Sequence, residues 1–273
     1  MERKGGEAME RLPEIDRTAY DNAPFIPNGQ AYWARWEAAA AAFRARHDSA
    51  ALGRSYGAHP RESYDLFMPA CAPRGLFVFV HGGFWRIGGR ELWSHLSTGA
   101  LAAGFAVAIP SYPLCPEVRI AHITQAVARA LPNMADQVAG PIRLVGHSAG
   151  GHLVLRVACA DARLPPDVRA RIDRICAISP LANLAPLIDM PMNSDLRIDA
   201  AQAAAESPVH HTAPSISVSV VVGADERPAF LDQALWMVDA WPKAQLSVLA
   251  GKHHFNVIEG LQDPQDPLLA PLV

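Results

Sequence analysis

Short apolar runs alternate with longer amphipathic stretches along most of the chain. The apolar runs predict β-strands at residues 64–68, 76–80, 105–109, 142–145, 174–178, 216–222 and 245–249. Several are apolar at every position, which is typical of strands buried on both faces of a parallel sheet. Helices are predicted between them at residues 91–103, 117–131, 148–160 and 227–240. This alternation predicts an α/β fold with a mostly parallel central sheet and helices on both faces.

Two segments stand apart from this alternation. In residues 29–47, the spacing of Trp33, Trp36 and Phe43 predicts a helix whose apolar face covers the sheet, within an N-terminal helical extension over residues 1–55. Residues 181–214 are rich in Pro, Ala and Asp and interrupt the rhythm. We interpret them as a cap-like excursion over the active-site face, with a surface loop of no special role as an equal alternative. The whole chain, residues 1–273, is expected to form a single domain.

The composition narrows the class of protein. Half of the residues are hydrophobic and 19% are charged, which favours a globular fold. A formal net charge of −3 gives no electrostatic reason to expect a nucleic-acid partner, so a small-molecule substrate is expected. We recognise no targeting leader at the N-terminus and no apolar run of the roughly 18 residues that a spanning helix needs. A cytoplasmic location without a membrane partner is therefore expected, and a homodimer is left open.

The cysteines and histidines give little support to a metal site. Four cysteines are scattered without Cys-x-x-Cys spacing, so we expect free thiols, mostly buried, rather than a zinc site or a disulfide framework; they are Cys71, Cys115, Cys159 and Cys176. Two adjacent histidine pairs, His210-His211 and His253-His254, keep a metal site as an alternative, although no His-Glu-x-x-His spacing supports it. No metal and no cofactor are expected.

A candidate nucleophile follows the predicted strand 142–145. The motif Gly146-His147-Ser148-Ala149-Gly150 separates this strand from a helical run, which is the setting of a nucleophile elbow. The small residues at 146 and 150 allow a sharp turn that lifts the Ser148 hydroxyl above the sheet. At the helix N-terminus, the amide of Ala149 can then bind an oxyanion. The alternative is a glycine-rich turn with an ordinary serine.

A second glycine-rich loop follows the strand 76–80. Its sequence is His81-Gly82-Gly83-Phe84-Trp85. Because glycines let the backbone approach a ligand closely, the amides of Gly82 and Gly83 are candidates for the second oxyanion donor, opposite Ala149. A plain β-turn is the alternative. Phe84 and Trp85 either line an aromatic-accepting pocket or simply pack.

A serine nucleophile needs a histidine base and a carboxylate that orients it. In α/β-hydrolases these follow the serine in the order acid, then base. Asp225 and Glu226 lie just after the strand 216–222, and His253 and His254 lie in the loop after the strand 245–249. The spacing alone does not choose within either pair.

With these residues in place, the chain resembles the kynurenine formamidase (arylformamidase) branch of the α/β-hydrolases, near the hormone-sensitive-lipase-like esterases. The resemblance spans about residues 56–259 and rests on several pieces taken in order: Tyr56-Gly57, Tyr64-Asp65-Leu66-Phe67-x-Pro69, His81-Gly82-Gly83-Phe84-Trp85, Ser111-Tyr112-Pro113-Leu114-Cys115-Pro116-Glu117, Gly146 to His152, Pro228-x-Phe230 with Gln233, and His254-Phe255-x-Val257-x-Glu259.

The resemblance chooses between the neighbours. It implies Glu226 as the acid, because it stands two residues before the Pro of the Pro-x-Phe piece, and His254 as the base, because it directly precedes a Phe. Asp225 and His253 become second choices. Phe84, Trp85 and His152 are the residues expected to contact the substrate.

The resemblance also implies a function. The chain is expected to be a cofactor-free serine hydrolase that removes a small acyl group from an aryl amide or ester, with N-formylkynurenine as the most specific substrate. Asn183 and Ala234 stand where the formamidases carry Asp and Ser, near the expected acyl-binding region, so the acyl group is open. One alternative is a general short-chain carboxylesterase or thioesterase. Another is a non-catalytic relative that only binds a ligand.

Overall fold

A single eight-stranded sheet forms the centre of the structure. The computed structural model describes residues 16–47 and 50–273. The strands lie in the order β1-β2-β4-β3-β5-β6-β7-β8. β2 is antiparallel to both of its neighbours, whereas β3 to β8 are mutually parallel. The bounds are β1 Ala51–Ser55, β2 Ser63–Phe67, β3 Leu76–Val80, β4 Ala106–Pro110, β5 Ile142–His147, β6 Ile172–Ile178, β7 Ser217–Gly223 and β8 Gln245–Leu249.

Among the described residues, eight α-helices accompany the sheet. They are α1 Tyr32–Arg44, α2 Thr98–Ala102, α3 Ile120–Ala135, α4 Ala149–Ala158, α5 Pro166–Arg171, α6 Asn193–Leu196, α7 Ala200–Glu206 and α8 Pro228–Ala240. Short 3₁₀ turns are also present, and two of them follow β8, at Val257–Gln262 and Ala270–Leu272.

The alternation of side chains along the buried strands explains the two helical layers. In β3, Leu76, Val78 and Val80 pack into the cluster that contains α3, α4 and α8. The intervening Phe77 and Phe79 pack into the cluster that contains α1 and α2. A strand that is apolar at every position therefore needs a helical layer on each face. The predicted fold class is confirmed.

Three parts of the N-terminal half differ from the prediction. Residues 51–55 form β1, an exposed edge strand, so the α-helical part of the extension ends where α1 ends, at Arg44. The predicted helix 91–103 is divided into two 3₁₀ turns and the short α2. The predicted N-terminal extension also includes residues 1–15 and 48–49, which lie outside the described residues.

The order of the strands creates a crevice at one edge of the sheet. β4 lies on one side of β3 and β5 on the other, so the chain reverses its direction of winding around β3. In such sheets the loops leaving the two strands diverge and open a crevice at their carboxyl ends. The loop after β3 begins at His81 and the one after β5 at Ser148, and these are the two loops singled out by the sequence.

Within the described ranges, no helix has the length and apolar character needed to cross a membrane. The cysteines are free thiols, with Cys71 exposed and the other three buried, as predicted.

Candidate active site

The loop from β5 to α4 forms a strained elbow at Ser148. This residue has φ 57° and ψ −119°, a conformation that a non-glycine residue adopts only when its surroundings enforce it. A Cβ on Gly146 would lie 2.1 Å from the Gly150 carbonyl oxygen, and one on Gly150 would lie 2.0 Å from the Val80 carbonyl oxygen. Both glycines are therefore required by the close approach of backbone segments. The turn places Ser148 at the wall of a cavity.

His254 and Glu226 form a buried pair beside this elbow. His254 Nδ1 lies 2.6 Å from Glu226 Oε2, and both residues are buried. A carboxylate accepts hydrogen bonds, so Nδ1 carries the proton and Nε2 keeps a free lone pair. The Phe230 ring lies 4.1 Å from the His254 ring, centroid to centroid, and limits its movement. The tautomer with the proton on Nδ1 and the lone pair on Nε2 is the one that a general base requires.

The second oxygen of Glu226 is also fully used. Its Oε1 accepts hydrogen bonds from the Ser179 hydroxyl at 2.5 Å and from the Gly223 amide at 2.9 Å. Asp225, by contrast, is exposed, and its carboxylate has no hydrogen bond or ion pair with the described residues. The structure therefore brings Glu226, and not Asp225, to the candidate base.

Two neighbouring residues show what sequence reasoning could and could not find. Ser179, which donates to Glu226, is assigned no role from the sequence. Its contact with Glu226 depends on β6 lying beside β7, where the Ser179 amide also donates to the Val221 carbonyl at 2.6 Å. His253 lies against α1 instead, where its Nε2 is 3.3 Å from the Tyr32 hydroxyl.

The loop after β3 closes over the elbow. A Cβ on Gly82 would lie 2.9 Å from the His147 carbonyl oxygen and 3.0 Å from Ser148 Cβ, so the approach leaves no room for a side chain. The His81 ring donates from Nδ1 to the Gly82 carbonyl at 2.7 Å. In a trans peptide the carbonyl and the following amide point in opposite directions. The Gly83 amide is thus turned away from His81.

The amides of Gly82, Gly83 and Ala149 donate to no other group among the described residues. All three residues were predicted as oxyanion donors, and Gly82 and Gly83 line the cavity together with Ser148. Free amides at a loop and at a helix N-terminus are suited to stabilise negative charge on an oxygen.

A further histidine, His147, lies between these loops. Its Nε2 donates to the His254 carbonyl oxygen at 2.9 Å, and its ring lies 4.7 Å from the His254 ring. Burial, followed by the nearby His254, lowers the pKa of the His147 imidazole well below its usual range. His147 is therefore neutral at physiological pH.

The cavity beside Ser148 has a volume of about 600 Å³, which suits a small organic molecule. Its walls come from residues 21–36, which we call the N-terminal segment, and from the loop after β3, the excursion and the loop after β8. Eight of the lining side chains are aromatic or charged, namely Asp21, Trp33, Trp36, Phe84, Arg86, Trp93, Asp195 and Phe255. Arg86 and Asp195 form an ion pair at 3.4 Å, joining the loop after β3 to α6 of the excursion.

Two of the expected substrate contacts lie outside this cavity. Phe84 lines it, but Trp85 and His152 are fully buried behind its wall, in edge-to-face contact with each other. Phe84 and Trp85 both have positive φ, which turns the Trp85 side chain back into the core. His152 instead donates from Nε2 to the Glu206 carbonyl at 2.7 Å. Neither Trp85 nor His152 therefore lines the cavity where a substrate contact is expected, and Trp85 packs in the core, which is the alternative that its sequence left open.

The two departures from the formamidase pattern also lie away from the cavity lining. Gln233 accepts hydrogen bonds from the amides of Ala182 and Asn183, both at 2.7 Å, and donates to the Tyr20 hydroxyl. Asn183 and Ala234 belong to this packing and not to the pocket wall. Neither residue therefore lines the cavity beside Ser148.

One trio of possible metal ligands occurs among the described residues. Cys159, Asp161 and His211 bring one ligand atom each within 4.8 Å of one another. Asp161 is already paired with the Arg156 guanidinium through bonds of 2.7 and 3.0 Å, and burial raises the pKa of the Cys159 thiol to about 11. The trio lies at the far end of α4 from Ser148. Because the Arg156 guanidinium already pairs with Asp161 and the Cys159 thiol keeps its proton, the trio is a poor metal site.

The fold and this arrangement of groups together define a class, a hydrolase of α/β architecture. The sequence profile described as "Alpha/beta hydrolase family" matches residues 77–272, so the chain belongs to that family. The resemblance stated from the motifs is confirmed by a kynurenine formamidase of Danio rerio, which is 25% identical over 222 residues, covering 76% of this chain and 75% of that protein.

Solved structures agree. A crystal structure from Silicibacter sp. TM1040, described as a "putative thioesterase", is 50% identical, with a TM-score of 0.90 over 92% of this chain and 96% of that one. Esterase B of Lactobacillus rhamnosis is 19% identical with a TM-score of 0.64 over 89% of each chain, which is a likeness of fold alone.

Proposed function

We propose that this protein is a serine hydrolase that cleaves a small acyl group from an aryl amide or ester, and that N-formylkynurenine is its substrate. The observation that carries the proposal is the 2.6 Å contact between His254 Nδ1 and Glu226 Oε2, beside a serine on a strained elbow. A structural ion pair has no need of such an elbow. A serine nucleophile that is served by a histidine base does need one.

The proposed reaction uses the elbow serine and the groups in the neighbouring loops. Ser148 Oγ attacks the acyl carbon while His254 Nε2 takes the hydroxyl proton, and Glu226 stabilises the imidazolium that forms. The negative charge on the substrate oxygen is held by the amides of Gly83 and Ala149, with Gly82 lining the same loop. The C–N bond of the tetrahedral intermediate then breaks, His254 gives its proton to the departing amine nitrogen, and the acyl group stays bonded to Ser148 Oγ as an acyl-enzyme.

Water completes the cycle. His254 removes a proton from a water molecule as its oxygen attacks the acyl-enzyme, and the serine leaves with that proton. With N-formylkynurenine, the products are formate and kynurenine. No cofactor enters these steps.

The shape of the cavity supports an aryl leaving group. Trp33, Trp36, Phe84, Trp93 and Phe255 line it. Aromatic side chains pack well against a flat ring in offset or edge-to-face contact. We propose that Phe84 and the N-terminal segment, together with residues 191–195 of the excursion, bind this part of the substrate.

The decisive experiment compares three substrates on the purified protein: N-formylkynurenine, p-nitrophenyl acetate and a short-chain acyl thioester. Cleavage of N-formylkynurenine with the largest kcat/KM is expected. Brisk ester cleavage without measurable release of formate would refute the formamidase assignment. Ser148→Ala should abolish turnover and labelling by a fluorophosphonate, and absence of labelling in the wild-type protein would favour a non-catalytic ligand-binding protein.

A short-chain carboxylesterase or thioesterase is the second candidate. The observation that favours it is the 50% identity with the Silicibacter protein, which is twice the identity shared with the Danio rerio formamidase. The same catalytic groups would serve, and only the leaving group would differ. The thioester in the comparison above tests it directly.

A further inference from the structure

His147 has one ring nitrogen that the protein uses and one that it does not. Its Nε2 donates to the His254 carbonyl, which is an acceptor only, so the proton of the neutral ring is on Nε2. Nδ1 therefore carries a lone pair. It has no hydrogen-bond partner in the described ranges 16–47 and 50–273, although His147 lines the cavity.

The position of this lone pair is close to the candidate chemistry. A Cβ on Gly82 would lie 3.4 Å from His147 Nδ1, so Nδ1 is on the side of the ring that faces the loop after β3. The ring also lies beside the His254 ring, at 4.7 Å between centroids. An acceptor thus faces the loop that carries the candidate oxyanion donors Gly82 and Gly83, on a ring that also lies beside the candidate base His254.

An acceptor in that place distinguishes amides from esters. The nitrogen of a secondary amide bears a hydrogen. In solution this N–H donates a hydrogen bond to water, and that bond is lost when the substrate enters the pocket. An ester has only oxygen at the same position and needs no acceptor there. A site built to pair with such a hydrogen favours the substrate that has it.

We propose that His147 Nδ1 accepts a hydrogen bond from the N–H of the scissile amide, and that His147 is a specificity-determining residue for amide over ester substrates. The inference rests on the proposed function, because it concerns the leaving group of that same reaction. It assigns to the residue before the nucleophile a role separate from its support of the His254 loop.

The test uses two substrates that differ only in the atom at issue, N-(4-nitrophenyl)formamide and 4-nitrophenyl formate. It also uses two variants that separate the two nitrogens of His147. In His147→Gln the side-chain amide can still donate to the His254 carbonyl, but no acceptor stands where Nδ1 was. In His147→Asn an oxygen stands near the Nδ1 position, but the side chain is too short to reach that carbonyl.

The measured quantity is the ratio of kcat/KM for the amide to kcat/KM for the ester. We expect H147Q to lower this ratio about tenfold, because the buried amide hydrogen loses its partner. H147N should lower both rates while keeping the ratio within about twofold of wild type. Fluorophosphonate labelling of each variant reports whether Ser148 is still assembled.

Two outcomes overturn the inference in different ways. If wild type cleaves both substrates and H147Q keeps the wild-type ratio, His147 only supports the His254 loop, and the inference fails while the proposed function stands. If wild type cleaves the ester and not the amide, the amide assignment of the proposed function fails as well.

Discussion

The most informative single substitution at the candidate site is Glu226→Gln, because it changes the hydrogen bonding without changing the size of the side chain. Glu226 Oε1 accepts from the Ser179 hydroxyl and the Gly223 amide, and Oε2 accepts from His254 Nδ1. In the variant, the carbonyl oxygen must remain toward Ser179 and Gly223, since an amide nitrogen there would face the Gly223 donor. The NH₂ group then faces His254.

The consequence falls on the candidate base. An NH₂ group cannot accept from Nδ1–H, so His254 must move its proton to Nε2 and lose the Nε2 lone pair that a general base needs. The equivalent exchange in Ser-His-Asp triads lowers kcat about 10⁴-fold, or about 5 kcal/mol of transition-state stabilisation. We expect a loss of that order in kcat for p-nitrophenyl acetate, with the fold retained by circular dichroism.

The matched control is Asp225→Asn, which makes the same chemical change at the exposed neighbour. Its kcat should stay within about twofold of wild type, because its carboxylate contacts none of the candidate groups. A larger loss in D225N than in E226Q, or a loss of less than about tenfold in E226Q, would show that Glu226 does not orient the base.

Three further predictions concern the support of the site. Ser179→Ala removes one of the two donors to Glu226 Oε1, so kcat for p-nitrophenyl acetate should fall about tenfold, and a change below twofold would contradict this role. Burial, opposed in part by a backbone hydrogen bond, lowers the pKa of His152 to about 3. As the pH falls below about 6.5, the imidazole of His152 becomes protonated in the unfolded chain before it does in the folded protein. The free energy of unfolding therefore decreases between about pH 6.5 and pH 3. In urea denaturation, His152→Gln should flatten this decline by at most about 1.4 kcal/mol per pH unit between roughly pH 6 and 5, and an unchanged slope would count against a neutral buried imidazole. Gly150→Ala would place a methyl group 2.0 Å from a β3 carbonyl oxygen and should yield little folded protein, whereas Gly251→Ala meets open space and should cost only about 1–2 kcal/mol for its positive φ. Equal thermal midpoints for the two variants would contradict the packing argument.

Much of the fold could be predicted because the residue pattern of a buried strand indicates whether one or both of its faces are covered. Strands such as Leu76–Val80 are apolar throughout, and the pattern alone requires a layer on each face. β1 could not be found in this way. Its sequence, Ala-Leu-Gly-Arg-Ser, is exposed, and it is held as a strand by backbone pairing with β2.

The candidate site shows the same division. Ser148 and the glycines around it could be predicted because local turn geometry demands those residue types. The direction of Trp85 could not, because it depends on two successive positive φ values that a bulky aromatic pair gives no reason to expect. Ser179 was missed because its partner lies 47 residues away along the chain, and only the pairing of β6 with β7 brings the two together.

The position of β8 at the edge of the sheet affects the order in which catalytic activity and sheet structure are lost on heating. β8 carries the loop with His254, yet it is paired on one side only, and Val248 in it is 52% exposed. Segments with few buried contacts open at a lower free energy than the core of a protein. The outermost strand can therefore detach while the central strands keep their structure, and catalysis would be lost before the circular dichroism signal of the sheet. Thermal inactivation would then measure the fraying of one strand, and the melting temperature would measure a separate, later event.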